Sequence, residues 1–126
     1  MDEQPLPLEL TFDDRTEYLY AHARAFKTNL ATAELYLRQI AEKCAELGRD
    51  KLLIYRDITD VLETSSMYKL ASHLPAVLPG VKVAFVNPYG SNQPNMEFGR
   101  QIILNGGGMV ELFRDEDAAI KWLLDE

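Results

Sequence analysis

The segment KLLIYRDI, residues 51 to 58, constrains the fold more than any other. It is apolar at both parities of a pleat and rich in branched side chains, the pattern of a central strand in a parallel sheet. VKVAFV, residues 81 to 86, has the same character. Parallel neighbours require a crossover, and the intervening segment supplies one: Met67, Leu70, Ala71 and Leu74 recur at helical spacing. Pro75 is expected to end or kink that helix, because proline lacks the backbone donor a helix interior needs.

Changes of period mark the remaining elements. Leu8, Leu10 and Phe12 alternate with Glu9 and Thr11 as in a strand, and DDR at 13 to 15 reads as a turn. EYLYAHARAF alternates again, with Leu19, Ala21, Ala23 and Ala25 on one face and Tyr18, Tyr20, His22 and Arg24 on the other. These two strands form a hairpin. Leu30, Ala33, Leu37, Ile40, Cys44 and Leu47 follow as a helical stripe, with Thr28 or Asn29 as its cap and Gly48 just past its end. A third helix is expected to turn Phe98, Ile102 and Ile103 inward and to stop at Asn105, before three glycines. MVELF is the last strand, and Asp115 caps a final helix that buries Ala119, Trp122 and Leu123.

The order β-β-α-β-α-β-α-β-α predicts an α/β fold: a mixed, mostly parallel five-stranded sheet with four helices, in a single domain spanning residues 1 to 126. If every crossover runs the same way, the helices gather on the face that carries Ala21, Ala23 and Ala25. Tyr18, Tyr20, His22 and Arg24, with Lys82 and Glu111, then form an open sheet face. The plain reading of that face is a solvated amphipathic surface. The alternative is an interface for a partner or a homodimer, since tyrosine and arginine are enriched at interface cores.

Composition removes several classes of function. A net charge of −7, spread along the chain, repels phosphate backbones and anionic headgroups, so nucleic acid and membrane surfaces are not expected partners. No apolar run approaches the roughly 18 residues of a membrane span, and the acidic start lacks a leader pattern, which predicts a cytoplasmic protein. Cys44 is the only cysteine, leaving no internal disulfide and no basis for a thiolate zinc site. No metal or cofactor is expected.

ETSSMYKL, residues 63 to 70, is the stretch with the most to explain. Thr64, Ser65 or Ser66 can each serve as an N-cap, the plainest role for a hydroxyl at a helix start. A nucleophilic serine would need a base and an oxyanion hole, yet there is no G-x-S-x-G elbow, and His22 and His73 lie on different elements. Hydrolase chemistry is therefore not expected. The carboxyl edge of the parallel strands, where ligands of such sheets commonly bind, gathers Asp57, Thr59, Asp60, Ser65, Ser66, Asn87, Tyr89 and Arg114. Asp57, Asp60 and Glu63 oppose a bound phosphate there. They also make phosphorylation of a neighbouring serine a strong perturbation.

From residue 51 onward, KLLIYRDIT, ETSSMYKL, GVKVAFVNP and MVELFRDEDAAIKWLL resemble the STAS or SpoIIAA-like group, typified by bacterial anti-sigma factor antagonists. The ending FRDEDAAIKWL is similar to that of small bacterial members, and the opening hairpin and first helix fit the same plan. The resemblance implies a non-enzymatic domain that works without a cofactor by binding another protein, a regulator or a kinase. In such antagonists a kinase modifies a serine of an Asp-Ser-Ser-Gly segment at the start of the second helix. Its second serine falls on Ser66 and its first on Ser65, while Thr64 stands in place of the aspartate and Met67 in place of the glycine. The expected contact edge runs from Asp57 through Thr59, Asp60, Thr64, Ser65 and Ser66 to Tyr68, with Asn87 and Tyr89 beside it. The alternative the resemblance leaves open is a carrier or sensor of a small lipid or nucleotide, in a pocket at that edge lined by Ser65, Ser66, Asn87 and Tyr89.

Overall fold

A computed structural model describes residues 3 to 125 of the chain. The hairpin pairs β1 (Glu9–Asp14) with β2 (Leu19–Ala25) antiparallel, and α1 (Leu30–Leu47) leads to β3 (Lys51–Ile58). Then come α2 (Thr64–Val77), β4 (Lys82–Val86), a 3-10 turn (Gly90–Asn92), α3 (Gln93–Asn105), β5 (Met109–Phe113) and α4 (Glu116–Leu124). The strands lie side by side in chain order, and every pairing after the hairpin is parallel. This is the mixed five-stranded sheet with four helices that the periodicity predicts.

Local chemistry sets several boundaries. The Asn29 side chain accepts the Thr32 amide at 2.8 Å to open α1, and Gly48 closes it in the left-handed region at φ 68°, where a Cβ would be strained. Asp115 caps α4 by accepting the Ala118 amide at 2.9 Å. The expected caps of α2 are not used. Glu63 occupies the cap position without a side-chain bond, which places Thr64, Ser65 and Ser66 inside the first turn. Pro75 does not end α2 either: the helix runs on to Val77, anchored by buried Leu74 and Leu78 on either side of the proline.

Two cores sandwich the sheet. On one face Leu52, Ile54, Ile58, Val83, Phe85 and Val110 meet α1, α2 and α3, with Ala21 and Ala23 allowing the close approach their size suggests. The inward stripe of α3 is Met96, Gly99 and Ile103, with Ile102 packed against the core beside it, whereas Phe98 is 38% exposed. Gly99 marks a close α2–α3 crossing, since a Cβ there would lie 2.7 Å from the Met67 sulfur of α2.

The expectation that all helices share one face is overturned by α4. It crosses to the opposite face and buries Ala119 and Leu123 against Tyr18, Leu53, Ala84 and Val86. The physical reason lies in β3 and β4 themselves: Leu53, Ala84 and Val86 are apolar on that second face and require a cover. Lys82 locks the helix down, donating to the carbonyls of Trp122 and Asp125 at 2.6 and 3.1 Å while its ammonium lies 4.4 Å from the Trp122 ring centre. Among the described residues, no helix is long and apolar enough to cross a membrane.

Candidate functional site

With α4 in place, the four residues of the expected open face have different surroundings. Tyr18 is buried at 6% exposure, and half-buried Tyr20 donates its hydroxyl to Glu116 of α4 at 2.6 Å. Burial first, then that bond, pushes the Tyr20 pKa well above the usual phenol range. His22 and Arg24 lie nearer the carboxyl end of the same strand, where His22 is half-buried and Arg24 exposed. Lys82 serves α4 as described, and Glu111 is held by Arg100 of α3 at 2.7 Å.

Asp57 is the centre of the rim. It lies beside Arg24 in the β2–β3 register, as Glu9 does in the β1–β2 register, so Glu9, Arg24 and Asp57 form a row across three strands. Tyr89 donates its hydroxyl to one Asp57 oxygen, and His22 Nε2 stands 3.3 Å from the other. The Tyr89 bond chiefly, with His22 assisting, holds the Asp57 carboxyl below its usual range. His22 also meets the edge of the Tyr55 ring, with centroids 5.1 Å apart. Above this network lies a surface groove of about 460 Å³, lined by Pro7, Glu9, Arg24, Phe26, Asp57, Thr59 and Tyr89 among others.

The next loop carries the remaining edge residues. Asp60 accepts the Thr28 amide at 3.0 Å, tying the loop after β3 to the loop after β2. Asn95 holds Leu62 from both sides, accepting its amide and donating to its carbonyl, so the start of α2 is fixed against the start of α3. Thr59, Thr64 and Ser65 are exposed, and Ser66 is half-buried in the first turn. Both serines begin a helix at the rim where parallel strands end, as the sequence predicts. Three large apolar side chains of these loops and of the α2 start are exposed: Phe26 at 88%, Tyr68 at 58% and Val61 at 49%.

Asn87 borders neither this groove nor the interior cavity described below. Its amide is fully buried and donates to the Tyr89 carbonyl, Asn92 and Gln93, so it shapes the loop that delivers Tyr89. Ser65 and Ser66 line neither the groove nor the interior cavity described next.

Sequence reasoning missed Arg56. It is 3% exposed, points into the layer beneath α1, α2 and α3, and donates to the carbonyls of Ile58 and Asp60 at 2.9 and 3.3 Å. It borders a narrow cavity of about 40 Å³ whose other walls include Leu37, Met67, Ala71, Phe85 and Ile103. The signal was present in parity, because Arg56 shares its face with Leu52, Ile54 and Ile58.

No protein-family model matches the chain, and no curated protein does. Among solved structures, the chain is similar to an uncharacterized protein of the DUF3478 family with a SpoIIAA-like fold, from Shewanella loihica. The two share 17% sequence identity, the match covers 98% of each chain, and the TM-score is 0.56. A likeness over nearly the full length of both chains, with the same β-β-α-β-α-β-α-β-α order that the periodicity predicts, establishes a SpoIIAA-like α/β fold for this chain.

Proposed function

We propose that the chain is a regulatory protein-interaction domain of bacterial type that performs no chemistry of its own. It meets a regulator, a kinase or a second copy of itself through the rim from Asp57 to Tyr68. The observation that carries this reading is the exposure of Phe26, Val61 and Tyr68, which stand on the loops after β2 and β3 and at the start of α2. Large apolar side chains outside a core cost solvation and are a common mark of docking surfaces. The bonds from Asp60 to Thr28 and from Asn95 to Leu62 hold this surface in shape before a partner arrives.

Phosphorylation at Ser66, or at Ser65 beside it, is the proposed switch. A phosphate in the first turn of α2 gains from the helix dipole, yet it adds charge beside Asp60 and Glu63 and covers apolar contact area. The test is capture of partners from the native host with wild type, Ser66→Ala and Ser66→Glu, alongside intact-mass analysis of the native protein. A phosphorylated fraction and a partner retained by wild type and Ser66→Ala but released by Ser66→Glu support the switch. An unmodified mass under all growth conditions, with equal retention by the three forms, opposes it.

A second reading, a carrier or sensor of a small ligand, is favoured by one observation: buried Arg56 beside an apolar cavity.

A further inference from the structure

A guanidinium beside a carboxylate ordinarily pairs with it, and Arg15, Arg49 and Arg100 each hold one within 3.0 Å. Arg24 stands between two acids and, among the described residues, pairs with neither. Glu9 is its neighbour across the hairpin and Asp57 its neighbour on β3. Residues in register share a sheet face, so the row reads minus, plus, minus. The Asp57 carboxylate is engaged by Tyr89 and His22 instead, and Glu9 enters no ion pair among the described residues.

All three side chains line the surface groove of about 460 Å³, a volume within the range of small-molecule sites. Neighbouring strands lie about 4.8 Å apart, so the row extends roughly 10 Å from first acid to second. Pro7, Leu8, Ala25 and Phe26 add apolar wall, and Phe26 at 88% exposure offers most of its ring to whatever enters. Helix α4 packs on the same sheet face over Leu53, Ala84 and Val86 but contributes no wall, which leaves the row open.

We propose that this groove binds a basic α-amino acid such as lysine, its carboxylate on the Arg24 guanidinium and its two ammonium groups on Glu9 and Asp57. The proposal rests on the small-ligand reading above, names its ligand class, and places the ligand in the outer groove instead of the interior cavity. Such a ligand carries the charges of the row in reverse: plus, minus, plus. A guanidinium takes a carboxylate bidentately, and a four-carbon stem with a hydrogen bond at either end covers the row. Tyr89 and His22 fix the Asp57 carboxylate before the ligand arrives, and the stem lies against Leu8 and Phe26. Other charge patterns fit less well, since a dicarboxylate meets Glu9 and Asp57 and a plain diamine meets Arg24.

The test is NMR titration of the isotope-labelled full chain at low salt with lysine and three analogues that each lack one charge. Norleucine lacks the side-chain ammonium, 6-aminohexanoate the α-ammonium and cadaverine the carboxylate; adenosine monophosphate serves as an unrelated ligand. Lysine is expected to bind about fivefold or more tightly than each analogue, the scale of one partly exposed ion pair, and to shift the amides of Arg24, Phe26 and Asp57. Arg24→Gln is expected to lower lysine to the level of cadaverine without weakening cadaverine itself. Glu9→Gln should erase the advantage of lysine over one of the two mono-ammonium analogues, while Arg38→Gln, on the exposed side of α1, changes nothing. Cadaverine binding as tightly as lysine, or a lysine preference that survives Arg24→Gln unchanged, overturns the proposal. Binding of adenosine monophosphate alone overturns it while sparing the small-ligand reading, and no binding by any probe removes both.

Discussion

Tyr89, on the loop after β4, donates its hydroxyl to Asp57 at the end of β3, so a phenol 32 residues away fixes the carboxylate at the centre of the rim. The bond joins the loop that leads into α3 to the strand that leads toward α2. The shape of the rim therefore depends on it.

Replacing Tyr89 by Phe removes the donor that chiefly lowers the Asp57 pKa. A carboxyl whose folded pKa is depressed contributes stability above its unfolded value, near 4, and loses it as pH falls through the folded value. Tyr89→Phe should cost about 1 kcal/mol at pH 7, less than a fully buried charged bond because the pair is partly exposed. The gap from wild type should close as the medium is acidified below pH 4. Urea denaturation from pH 3 to 7 checks this, and a gap independent of pH would contradict the assignment.

Leu123 is fully buried by α4 on the face expected to be open. Leu123→Ala should cost roughly 2–5 kcal/mol, the range for a buried leucine whose cavity does not collapse. A surface leucine would cost a few tenths. Equilibrium unfolding distinguishes these values directly.

The edge strand β5 carries its own guard. The Glu111 carboxylate accepts the Leu112 amide at 3.0 Å and is held in turn by Arg100. An amide engaged in this way is not available to an added strand, and a charge at a sheet edge deters pairing with another copy. Glu111→Ala should lower stability by about 1–2 kcal/mol and introduce concentration-dependent association, read by analytical ultracentrifugation. Wild type should show no association through this edge.

The order of elements was legible because each change of period reports a change of backbone. The caps Asn29 and Asp115 were legible because a side-chain oxygen before an apolar stripe has one economical use. The side taken by α4 was harder to read, since amphipathicity says that a helix must be covered and not which sheet face covers it. KLLIYRDI nevertheless held the answer: a strand apolar on both faces needs both faces packed, which is incompatible with helices on one side only. Phe98 is the larger side chain, yet Gly99 is the residue at the α2–α3 crossing, because close approach of two helices favours the absence of a side chain over its size. The pairing of His22 and Tyr89 with Asp57 depends on strand register and loop path, which a single sequence does not encode in any local pattern. The rim placement of Ser65 and Ser66 followed from element order alone.

Partner capture with rim variants tests the central claim most directly. Val61→Asp and Tyr68→Asp alter exposed side chains and should leave the folding transition within about 0.5 kcal/mol of wild type. Wild-type chain, incubated with lysate of its native host, is predicted to retain a discrete protein that both variants release, while Leu104→Asp, at an exposed site on the far end of α3, retains it. Retention of the same protein by all four forms would contradict the rim as the contact surface, and absence of any retained protein would contradict the interaction role itself.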